Sequence, residues 1–251
     1  MVKKYNIILL KYLLFIFFFL ATIALFIYVS LQFHQVSKPS TQVTDPKDPI
    51  IIIDAGHGGE DGGTIGCNGI YEKDINLIIS LNLYDLFKAS DIPVILTRET
   101  DILLYDRNVD YHGRKKVLDL AKRLEIAKLY ENAIFISIHQ NAFSDPKYSG
   151  LQVYYSINDK NSAILAEKIQ SLARKILQPN NNRKIKATTD NIYLLDNISS
   201  PAVLIECGFL SNEVECQLLS TEKYQKELSA VIYASILDYF NETYQFEDIN
   251  Y

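Results

Sequence analysis

Three cysteines in 251 residues, Cys67, Cys207 and Cys216, are too few and too irregularly spaced for a disulfide framework or a cysteine-based zinc site. Stability must then come chiefly from an apolar core. Clustered positive charge is missing as well. The net charge of −5 excludes a surface built for nucleic acid or anionic lipid, because both need grouped Lys and Arg. The glycine-rich run Asp54–Gly63 lacks the Lys and Ser/Thr of a phosphate loop, and its acids Glu60 and Asp61 would repel phosphate. No internal repeat or low-complexity tract interrupts residues 50–251, which have the length of one domain with an ample core.

What the chain does have is a long apolar block at its start. Tyr12–Phe33 carries no charged side chain and is dense in Leu, Ile and Phe. About 20 apolar residues match the hydrocarbon thickness of a bilayer. Lys3, Lys4 and Lys11 precede the block, so the N-terminus is expected in the cytoplasm and the rest outside. A cleaved signal peptide would need a small-x-small site, which Leu31–Gln35 does not offer. The expectation is a single uncleaved transmembrane helix within residues 1–33. Residues 34–49, polar and containing Pro39, Pro46 and Pro49, then read as an extended tether.

Beyond the tether, short apolar runs alternate with helical periods. Ile50–Asp54, Ile92–Thr97, Ala133–Ile138, Leu151–Tyr155 and Ala202–Glu206 have the character of buried strands, and Asn191–Leu195 is a weaker sixth. Ile75, Ile79, Leu83 and Leu86 mark a first helix; Leu118–Tyr130, Asn161–Leu177 and Thr221–Tyr239 mark three more. The alternation implies an α/β domain: a mostly parallel sheet flanked by helices on both faces. Asp101–Val117 shows little period and reads as a long loop of the functional or mobile kind.

Three of these strands run into residues that bind metals or move protons. The first leads into Gly56-His57-Gly58, the third into His139-Gln140-Asn141, and the last into Glu206-Cys207-Gly208. In open α/β sheets, sites form in the crevice outside the carboxyl ends of strands. Catalytic zinc takes three protein ligands and leaves a place for water, so His57 and His139 call for a third. Glu72, at the start of the first helix, can fold back toward the first strand, although a carboxylate in a first turn is commonly only a dipole partner. Glu206 follows an apolar run and would be expensive to bury unpaired; it needs a metal, a cation or a proton. Cys207, its neighbour in an extended strand, points to the opposite sheet face and reads as a packing residue rather than a nucleophile.

These residues resemble the zinc-dependent N-acetylmuramoyl-L-alanine amidases that cleave bacterial peptidoglycan. The resemblance covers about residues 50–240. It rests on Ile53–Gly59, Glu72-Lys73-Asp74, Thr97-Arg98, Phe135–Ala142 and Pro201–Asn212, five blocks in the family's order. It implies zinc held by His57, Glu72 and His139, Glu206 as the catalytic carboxylate, and a six-stranded sheet between helices. Ala55 stands where many relatives carry Pro, a change that leaves the ligands untouched. A single anchor before a bare catalytic domain is similar to the sporulation-type amidases acting on spore cortex, and some amidases of the family depend on a protein activator. The implied enzyme is membrane-anchored, with its catalytic domain outside the cell membrane and peptidoglycan as substrate. Two other readings keep the same residues: an inactive membrane-tethered peptidoglycan-binding module, and a zinc hydrolase of another amide.

Overall fold

The computed structural model describes residues 19–20, 22–23, 49–106, 108, 112–188 and 192–243. The expected anchor, Tyr12–Phe33, and the tether lie almost wholly outside the described residues. Phe19, Leu20, Thr22 and Ile23 are helical, and among the described residues no helix is long and apolar enough to cross a membrane.

Six strands form one sheet: β1 (Ile50–Ala55), β2 (Val94–Leu96), β3 (Ala133–Asn141), β4 (Gln152–Tyr155), β5 (Lys186–Ala187) and β6 (Ala202–Phe209). Their order is β2-β1-β3-β6-β4-β5. Every pairing is parallel except β4 against β6. The helices are α1 (Glu72–Ala89), α2 (Lys115–Lys128), α3 (Asn161–Ile176), α4 (Tyr193–Asn197), α5 (Glu213–Leu219) and α6 (Glu222–Thr243).

The central strands are apolar on both faces because helices cover both. Side chains alternate across a strand, so Ile51, Ile53, Ile134, Ile136, Val203 and Ile205 face one way and Ile52, Phe135 and Leu204 the other. The first set packs on α1, α3 and α6 through Ile79, Leu83, Ile169 and Ile232; the second packs on α2 and α4 through Leu124, Leu194 and Leu195. Burying each such side chain contributes roughly 1.5–3 kcal/mol, so this core is the main source of the fold's stability.

Three details differ from the sequence expectation. The weak strand at Asn191–Leu195 is instead helix α4, Tyr193–Asn197; an apolar run that short fits either state and packing decides. The sixth strand is the two-residue β5, too short to carry a pattern. Within the expected loop Asp101–Val117, α2 already begins at Lys115.

The cysteine reading needs a larger correction. Cys67 and Cys216, 149 residues apart, form a disulfide, while Cys207 is the free, buried one. One covalent link therefore joins the apolar core in holding the fold. Two cysteines so far apart give no local spacing from which to read a bond.

Candidate active site

The chain leaves β1 at Ala55 and turns through Gly56-His57-Gly58. His57 has φ +61°, a left-handed backbone uncommon for a side-chain-bearing residue, and neighbouring groups hold it there. Arg123 from α2 donates to the carbonyls of Ala55 (2.7 Å) and His57 (2.6 Å). Arg98 donates to the carbonyls of Ala55 (2.9 Å) and Gly56 (3.0 Å). Arg98 also donates to the carbonyls of Thr100 (3.1 Å) and Lys73 (2.8 Å). Arg123 is fully buried and paired with Asp54 at 2.6 Å and Asp119 at 2.8 Å. Asp54 also accepts from Thr97 (2.8 Å) and Ser137 (2.7 Å). Burial pushes the Asp54 carboxyl up, but Arg123 and the two hydroxyls outweigh it and hold it below the usual carboxylate range.

Gly56 must be glycine for a steric reason. A Cβ there would lie 2.2 Å from Nε2 of His139, whose ring crosses the turn from the end of β3. The two imidazoles meet edge to face with ring centres 4.9 Å apart. Between them sits Glu72, the first residue of α1, whose Oε1 lies 3.2 Å from His57 Nε2 and 2.9 Å from His139 Nδ1. One ligand atom from each residue falls within 4.8 Å of the other two. These are the three residues expected to converge, and the structure brings them together.

The Glu72 carboxylate is held from several sides. Its Oε2 accepts from the Thr64 N–H (2.9 Å), and Oε1 from the Gln140 N–H (3.1 Å) and Asn76 Nδ2 (3.3 Å). Burial works against its charge, but His139 and His57 outweigh that and hold it well below the ordinary range. For His57, burial disfavours protonation, while Asp61 and Glu72 favour it more, and the pKa rises to about 9. Asp61 Oδ2 stands 3.0 Å from His57 Nδ1, on the side away from Glu72, and 3.1 Å from Lys116. Glu60 is exposed and paired with Lys115 at 2.8 Å. Neither acid takes Glu72's place between the histidines.

Glu206 stands beside this group. Strands β3 and β6 are parallel neighbours, and His139 pairs in register with Glu206. Among the described residues its buried Oε2 has no hydrogen-bond partner. Burial raises its pKa to about 7; His139 and His57 lower it and Glu72 raises it by smaller amounts. A carboxyl titrating near neutrality suits proton transfer in both directions. The same cleft, about 390 Å³, is lined by His57, Glu72, His139 and Glu206, with Lys116 and Asn141 at its sides. Cys207 turns into the opposite core, where burial pushes its thiol far up, which excludes a thiolate nucleophile.

Sequence reasoning gave no role to Asn76 and Gln140, which steady Glu72, or to the Asp54–Arg123–Asp119 group. Asp54 and Ser137 sit in otherwise apolar strands, and a polar group there implies a buried partner. That was the available signal.

Comparison with known proteins agrees with this geometry. A family model described as N-acetylmuramoyl-L-alanine amidase matches residues 51–238. The germination-specific N-acetylmuramoyl-L-alanine amidase of Bacillus subtilis is 39% identical over 193 residues, covering 77% of this chain and 80% of that protein. The CwlD amidase of Clostridioides difficile, solved in complex with the GerS lipoprotein, superimposes with a TM-score of 0.73 at 42% identity. That match covers 78% of this chain and all of the other (100%). An N-acetylmuramoyl-L-alanine amidase from Clostridium difficile 630 gives 0.68 at 30% identity, over 78% and 99%.

Proposed function

Because the chain belongs to the N-acetylmuramoyl-L-alanine amidase family, we propose that it holds zinc on His57, Glu72 and His139 and moves protons with Glu206. The enzyme hydrolyses the amide between the lactyl group of N-acetylmuramic acid and L-alanine in peptidoglycan. The observation that carries the zinc reading is the convergence of three donor atoms within 4.8 Å, beside a buried carboxyl oxygen that no described protein group satisfies. Two imidazoles and one carboxylate are a donor set suited to catalytic zinc.

When bound there, zinc supplies Lewis acidity for the amide carbonyl and lowers the pKa of a water. The protein's own groups do the rest. Glu72, pinned by Thr64 and Gln140, keeps its charge at any physiological pH. Asp61 Oδ2, 3.0 Å from the far nitrogen of His57, places negative charge beside that ring. Glu206 takes the proton from the attacking water and returns it to the departing L-alanine nitrogen. The products are a lactyl carboxylate on the sugar and a free stem peptide.

Three further assignments belong to the same reading. Tyr12–Phe33 anchors the chain in the cell membrane, with residues 50–251 outside; a structural disulfide supports this, because such bonds persist in oxidising compartments. The substrate is spore-cortex peptidoglycan, supported by the likeness to a germination-specific amidase. A protein partner assists, supported by the likeness to an amidase solved with a lipoprotein.

Metal content tests the centre. Purified wild type should carry about one zinc, and His57→Ala or His139→Ala should lose most of it, since two protein ligands seldom hold a catalytic ion. Full zinc affinity and full activity in Glu72→Ala would contradict the ligand assignment.

A further inference from the structure

The metal-bearing helix α1 is entered through a hairpin, and the structure shows what that hairpin is fastened to. Ile65 and Tyr71 form an antiparallel bridge, and the Gly66 N–H donates to the Ile70 carbonyl at 2.8 Å. At the open end, the Glu72 N–H donates to the Thr64 carbonyl at 2.9 Å, while the Thr64 N–H returns a 2.9 Å bond to the Glu72 carboxylate. Gly63 lies so close that a Cβ would sit 2.5 Å from Glu72 Oε2. A shift of this hairpin therefore moves the carboxylate that stands between the histidines.

The hairpin's outer side is loosely packed: Ile65 is 60% exposed and Tyr71 42%. Its inner side meets α5. Gly66 touches Cys216 and Leu210 so closely that a Cβ would stand 2.7 Å from the Cys216 sulfur. At the tip, Cys67 bonds covalently to Cys216.

Helix α5 is in turn rigidly joined to the rest of the site. Glu215 accepts from the N–H groups of Phe209 and Gly150, each at 2.8 Å, and Leu210 N–H donates to the Asn141 carbonyl at 2.8 Å. Phe209 ends the strand bearing Glu206, and Asn141 ends the strand bearing His139.

We propose that the Cys67–Cys216 disulfide is a positioning element of the metal centre. It ties the hairpin that sets Glu72 to the platform that carries His139 and Glu206. Zinc affinity is then sensitive to the redox state of this pair. The inference rests on the zinc reading above.

The test uses the full-length chain in three forms: oxidised wild type, Cys67→Ala/Cys216→Ala, and wild type reduced by a trialkylphosphine. In that reduction the S–S bond breaks, phosphorus supplies two electrons, and water supplies the phosphine-oxide oxygen and the two thiol protons. Zinc affinity is read by competition with a chromophoric chelator well below the melting temperature, and melting of the metal-free protein is followed separately. Loss of a group that orients a ligand typically costs 10–100-fold in metal affinity, so about tenfold weaker binding is expected in the alanine variant and in the reduced protein. In a Glu72→Gln background, whose weaker zinc binding is read with a lower-affinity chelator, removing the disulfide should change affinity little, because the group it positions is gone. Unchanged affinity with only a lower melting temperature would overturn the proposal, as would an undiminished effect in the Glu72→Gln background. If the alanine variant does not fold, the reduced wild type decides alone. Wild type that binds no metal would overturn the zinc reading as well, which separates the two failures.

Discussion

Replacing Glu206 by Gln should move stability and activity in opposite directions. The folded-state pKa of about 7 lies above the ordinary value of 4.5, chiefly because burial disfavours the charge. Between those pH values the folded protein holds a proton that the unfolded chain has released. Stability is therefore lost as pH rises from about 4.5 to about 7, and the full rise corresponds to about 3 kcal/mol. Glutamine cannot ionise, so the variant escapes that loss. At pH 8 the metal-free variant should melt higher than metal-free wild type by on the order of 5–10 °C, with the difference vanishing near pH 4. Its rate of amide cleavage should fall by about 10²-fold or more, the scale of a lost general base. Paired melting curves at several pH values and a stem-peptide release assay measure both. A variant that melts lower at pH 8 yet cleaves at the wild-type rate would refute the reasoning, because Glu206 would then be a structural carboxylate.

Other outcomes follow from the surrounding groups. Metal-free His57, with its pKa near 9, is protonated at pH 7.5 and must be neutral to bind a metal, so zinc uptake should release close to one proton. Zinc affinity should accordingly weaken about tenfold per unit of acidification below pH 8; calorimetry in buffers of different ionisation enthalpy checks the proton count, and none released would contradict it. Arg123→Met should destabilise the domain by about 3–5 kcal/mol in urea unfolding, because it leaves Asp54 and Asp119 as buried, uncompensated charges. Deleting residues 1–49 should yield a folded, unanchored domain, while the intact chain stays with membranes after a high-salt wash; an intact chain released by that wash would contradict the anchor.

Much of the sheet was legible because helices on both faces make its central strands apolar runs, as in Ile50–Ile53 and Ala202–Ile205. The site was legible because His57, His139 and Glu206 interrupt such runs at their carboxyl ends. Glu72 was harder: nothing local separates a candidate ligand from a helix-dipole partner, and only its placement between His57 and His139 in the fold distinguishes the two. Helix α5 carries its own start signal in the sequence. Asn212 followed by Glu215 is a capping pattern, and the Asn212 side chain does accept from the Glu215 N–H. The buried arginines were invisible as a pair, since Arg98 and Arg123 converge on one turn only after the sheet has formed. The disulfide was invisible for the same reason: 149 residues separate its halves, and only the packing of α5 against the hairpin brings them together.

Product analysis distinguishes metal-assisted cleavage of the lactyl–L-alanine amide from any other hydrolysis of the wall. Purified peptidoglycan is digested by wild type, by chelator-treated protein and by chelator-treated protein resupplied with zinc, and the new ends are identified by mass spectrometry. Free L-alanine amino termini matched by lactyl carboxylates on muramic acid are expected, lost with the chelator and restored by zinc. New reducing sugar ends, cleavage between stem-peptide residues, or undiminished cleavage after complete metal removal would contradict metal-assisted cleavage of that amide.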